Sequence, residues 1–151
     1  MRTRLVVSGA ALVLVAGLVQ STRAADPSAP ALAREPAPKG ARVFLVEPKD
    51  GATVGRDVEV EFGVEGIAVA PAAEARPGTG HHHLLIDGKE LPPLDAPIPN
   101  DATHKHYGKG QTADTIHLEP GTHTLQLDFA DARHVQFDPP IVSPKITIHV
   151  K

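Results

Sequence analysis

The chain has 151 residues and no cysteine, so it is sized for one domain, has no disulfides to hold it, and must bind any metal through nitrogen and oxygen. Aromatic residues make up 3% of it, with no Trp, which works against sugar-stacking platforms and aromatic cages. A formal net charge of -3 argues against nucleic acid and anionic membranes as partners.

Arg2 and Arg4 precede an apolar run from Leu5 to Val19, which Gln20-Ser21-Thr22-Arg23-Ala24 follows. A charged start, an apolar stretch and a small-residue end predict a secretory signal peptide over residues 1–24, cut after Ala24. The run is shorter than the roughly 20 apolar residues that span a bilayer, so no membrane insertion is expected after cleavage. Removal takes away Arg2, Arg4 and Arg23 and no acid, leaving 12 basic against 18 acidic residues, a net charge of -6. The expected location is periplasmic or secreted.

Residues 25–40 are rich in Pro and Ala without periodicity and read as a disordered linker. Residues 41–151 then read as one folded domain. Val43 to Val46 is an apolar run stopped at Pro48, and Lys49-Asp50-Gly51 is a turn signal. Val58, Val60, Phe62 and Val64 alternate with Asp57, Glu59, Glu61 and Gly63, the pattern of a half-buried strand with its acids in water. Gly66 to Gly80 fits either a loop or a short ragged strand.

The strand His81-His82-His83-Leu84-Leu85-Ile86 follows, ends at Asp87-Gly88, and could hairpin into Lys89-Glu90-Leu91. Pro92 to Gly110 is a long irregular segment that carries His104, His106 and Tyr107; loops of that length inside a domain are usually functional or disordered. Thr115 to Leu118 and His123 to Phe129 are strands on either side of the Glu119-Pro120-Gly121 corner. Asp131 to His134 and Asp138-Pro139-Pro140 read as turns, and Ile146, Ile148 and Val150 mark a closing strand. Short strands at this spacing, with no helical periodicity beyond residue 24, predict an all-β fold: an immunoglobulin-like antiparallel β-sandwich of about seven strands.

Of nine histidines, eight lie between His81 and His134. Strand parity puts His81 and His83 on one face and turns His82 inward with Leu84 and Ile86. Two imidazoles on one face of a rigid strand form a two-point clamp for copper or zinc, and His104-Lys105-His106 repeats the spacing in the long loop. The candidate metal ligands are therefore His81, His83, His104 and His106, with His134 as a spare in a turn of unknown position. The alternative for both pairs is loop-stabilising hydrogen bonds to Asp87, Asp101 or the backbone. His123, after the corner, reads as a structural, hydrogen-bonded residue, while His117 and His149 read as exposed strand positions.

Three segments, Gly80 to Asp87, Asn100 to Thr112 and Leu118 to Leu127, together resemble a widespread family of small secreted bacterial proteins known as a domain of unknown function. The likeness runs over about residues 41–150 and implies an exported single-domain protein without an established activity. The reading that emerges is a periplasmic or extracellular histidine-rich module that binds a copper or zinc ion. Its rival is a cell-envelope interaction domain that binds a protein or small polar ligand without metal. No catalytic activity is expected: no Ser-His-Asp order or nucleophile elbow stands out, and Ser143 is the only serine after Ser28.

Overall fold

Alternating apolar and charged residues suit a strand with one face in a core, and the clearest such stretch becomes β3 (Asp57–Glu65). In the computed structural model, which describes residues 32–151, Val58, Val60 and Phe62 of β3 are buried while Asp57, Glu59 and Glu61 are exposed. β1 (Arg42–Glu47) and β7 (Ala113–His117) flank it, each antiparallel to it, in a three-stranded sheet.

A larger, seven-stranded sheet lies opposite. Its strands are β2 (Thr53–Val54), β4 (Ala68–Val69), β5 (Thr79–Ile86), β6 (His104–His106), β8 (Gly121–Ala130), β9 (Gln136–Val142) and β10 (Ile146–Val150). The order runs β2-β10-β8-β5-β4, with β6 joined to β5 and β9 to β8. Leu84 of β5, Leu125, Leu127 and Phe129 of β8 and Ile148 of β10 pack against Val43, Val58, Val60, Phe62 and Ile116 of the small sheet. Ile86 and Ile146 sit at the margin of this core, partly buried.

The all-β sandwich is as expected. Of its ten strands, β2, β4 and β6 have two, two and three residues, and the other seven have five or more. Two short pairings, β2 with β10 and β4 with β5, are parallel. Among the described residues no helix is long and apolar enough to cross a membrane.

Several local expectations are corrected. Lys89 to Leu91 form no hairpin strand, because β5 spends its edges on β8 and, on the other side, on β6 and β4. Asp138-Pro139-Pro140 lie within β9, where the register slips between the Phe129 and Ala130 pairings, so the prolines fall in a bulge on an edge strand, where no ladder donor is needed. The linker expectation fails for its described part. Arg34 donates to the carbonyls of Gln136 and Phe137, Ala37 N–H donates to Asp138, and Asp138 N–H donates back to Glu35. Residues 34–37 are thus a strap along β9. The signal-peptide reading and residues 25–31 of the linker lie outside the described residues.

The outer face of the large sheet decides where the chemistry lies. Leu85 projects there by parity, yet it is 2% exposed, and Ile98 of the long loop is 4% exposed. The loop is tied down by Ile86 N–H to Thr103, Ile98 N–H to His134 and the Gln136 amide to Pro92. It therefore roofs part of the sheet and buries the polar residues beneath.

Candidate metal centre

Parity along β5 separates the triple histidine as its alternation demands. The His82 ring lies in the core, 5.2 Å from Phe62 and 5.0 Å from Phe129 between centroids. His81 and His83 point to the opposite face, fully buried, with their Nε2 atoms 3.1 Å apart. Antiparallel pairing of β5 with β6 places His106 opposite His83. His134 arrives from the β8–β9 turn, with its Nε2 3.1 Å from the Nε2 of His106. The four rings stand 4.7 to 5.8 Å apart, centroid to centroid.

Each arm is fixed by its surroundings. Tyr107 anchors β6: its ring packs 4.8 Å from Phe62, its N–H donates to His82, and its hydroxyl donates to Asp114. Gly108 leaves the space that the His106 ring fills, since a Cβ there would overlap its Cε1 and Nε2. His134 has φ +65, a conformation uncommon outside glycine. It is held by Asp131, whose Oδ1 accepts the N–H groups of Arg133 and Val135 and whose carbonyl accepts the His134 N–H.

His81, His83 and His106 form a group that could hold a metal ion, with ligand nitrogens all within 4.8 Å of one another. Zinc at about 2.0–2.1 Å from each nitrogen in tetrahedral geometry separates neighbouring ligand atoms by about 3.3 Å, close to both Nε2 pairs. Burial, then the neighbouring imidazoles, lowers the pKa of His81 to about 3 and of His83 to about 2, and burial also lowers that of His106. These rings are neutral at pH 7, the charge state in which imidazole ligates a metal.

The family model described as "Domain of unknown function (DUF4399)" matches residues 60–151. The chain belongs to this family. No curated protein and no solved structure matches it. The matched segment contains His81, His83, His106 and His134.

Of the four candidates read from the sequence, the domain brings His81, His83 and His106 together and leaves His104 out. His104 sits opposite Leu85, beyond the cluster, with its Nδ1 2.9 Å from Asp101 and 2.9 Å from Thr103. That pairing depresses the Asp101 carboxyl below its usual range. The loop-stabilising alternative thus describes His104, and the spare, His134, stands beside His106 instead. His123 is structural as expected, bridging Asp87 and the Glu119 carbonyl at 2.8 Å each, while His117 and His149 are exposed. Two further residues gave no signal in the sequence. Gly108 acts by having no side chain. Asp128, paired across from His83, is fully buried, and burial pushes its carboxyl up to about 7.

Proposed function

We propose that this protein is an exported, non-enzymatic module that binds one zinc or copper(II) ion through His81, His83, His106 and His134. The observation that supports the reading is the meeting of two Nε2 pairs, each at 3.1 Å, from three separate parts of the chain. Four imidazoles without a thiolate suit zinc and copper(II), whereas a hard ion such as calcium or magnesium requires oxygen. His81 and His83 form a buried floor, and half-buried His106 and His134 form a rim through which the ion enters. The charged start at Arg2 and Arg4 and the apolar run at residues 5–19 support export to the periplasm or beyond.

The test uses chain starting at residue 25, without a polyhistidine tag, loaded with zinc(II) or copper(II) and measured by mass spectrometry and calorimetry. One ion per chain, lost when His83 and His106 are both replaced by Ala, is the expected result. No bound ion would return the module to the reading of an envelope interaction domain. N-terminal sequencing of the exported protein tests the location, with Ala25 expected first.

A further inference from the structure

Histidine has two ring nitrogens, and a metal uses only one. When Nε2 binds the ion, Nδ1 carries the proton and needs an acceptor. In His81 and His83 the Nε2 atoms face each other, and both Nδ1 atoms are buried without a partner. The buried acceptors without a partner, among the described residues, are both carboxylate oxygens of Asp128 and Oε1 of Gln136. Pairing puts Asp128 beside the ring of His83, directly opposite it on β8, and puts Gln136 one strand further on, opposite Ala130, which lies opposite His81. Leu127 and Phe129 point into the core, so Asp128 between them faces the same side as His83.

Charge leads to the same residue. Four neutral imidazoles give a dication no counter-charge, and burying an uncompensated ion is costly. Asp131, the other buried carboxylate nearby, is committed to Arg133, 2.6 Å away. Arg34, whose charge reaches Asp128, directs its guanidinium to the carbonyls of Gln136 and Phe137 and to Asp138. Both oxygens of Asp128 are left over. His82 also has unpartnered nitrogens, but it lies on the core face and takes no part.

We propose that Asp128 is the charge partner of the metal centre, its carboxylate balancing the dication and accepting the Nδ1–H of His83, with the Gln136 amide oxygen accepting from His81. This rests on the metal-binding reading above. Removing such an outer partner weakens binding about 10–100-fold. Asp128→Asn keeps the shape and an acceptor oxygen but removes the charge, so zinc(II) affinity measured by competition with a chromophoric chelator should fall by about that factor. The metal-free variant should melt no lower than the wild type, because the carboxyl it replaces is buried with no hydrogen-bond partner to lose. A merely structural residue would lower both.

Wild-type protein gives a second readout that does not depend on a variant folding. With zinc(II) bound, long-range nitrogen–proton NMR should show His83 coordinated through Nε2, with a downfield, slowly exchanging Nδ1–H. If wild type binds neither zinc(II) nor copper(II), the metal reading fails first. If wild type binds zinc while Asp128→Asn binds within about threefold as well, or if His83 uses Nδ1 as ligand, the metal reading stands and the role of Asp128 is overturned.

Discussion

His81 with His83 and His104 with His106 are two pairs with the same one-residue gap, both on strands of the large sheet, yet one enters the cluster whole and the other contributes only half. The difference is register. β5 and β6 run antiparallel with His106 opposite His83, so β6 proceeds backwards from there and His104 falls opposite Leu85. His81 lies in the other direction, one pleat past His83, where His106 leans into the space that Gly108 leaves open. Spacing within a strand sets which side chains share a face, and pairing between strands sets which of them meet.

The largest expected effect that separates the pairs is in acid. His81, His82 and His83 have pKa values lowered to about 3, 4 and 2 from 6.5. Below pH 6.5 the unfolded chain therefore takes up protons that the folded chain refuses. Stability is full above pH 6.5 and falls as pH drops, by about 1.4 kcal/mol per pH unit for each histidine. Asp128, raised to about 7 from 3.8, has the opposite sign: its folded form keeps a proton that the unfolded form releases, which offsets one histidine. About 3 kcal/mol per pH unit should remain between pH 6.5 and 4 for metal-free protein, measured by urea unfolding followed by far-UV circular dichroism. His83→Leu should cut that slope by about 1.4 kcal/mol per pH unit; an unchanged slope would overturn the buried-imidazole account.

Metal affinity comes next. Structural zinc sites yield about 12 kcal/mol over four ligands, or about 3 each, so His83→Ala or His106→Ala should each weaken zinc binding about 100-fold or more. The double variant should lose less than the sum, since ligands of one ion act together. Additive losses in calorimetry would mean two separate sites. His104→Ala, by contrast, should stay within about threefold.

Gly108→Ala sharpens the comparison without touching a ligand. Its Cβ would displace the His106 ring, and zinc affinity should fall about 10–100-fold, as when a group that orients a ligand is lost. Unchanged affinity would mean that the ring finds another route to the ion. The smallest effect belongs to His104: its pairing with Asp101 is half exposed on the carboxylate side, so His104→Ala should cost less than about 1 kcal/mol in thermal unfolding.

Alternation along the chain was enough to place β3, β5, β8 and β10, to put His82 in the core, and to pair His81 with His83, because a strand's side-chain period is local and leaves its mark in consecutive residues. Asp138-Pro139-Pro140 misled for the same reason: two prolines signal a turn unless an edge and a bulge absorb them, and only the sheet decides which strand is an edge. The choice of His106 over His104, the arrival of His134 beside it and the burial of Asp128 were settled by tertiary structure alone. Each depends on register or on contact between segments far apart in the chain, and neither leaves a local pattern to read.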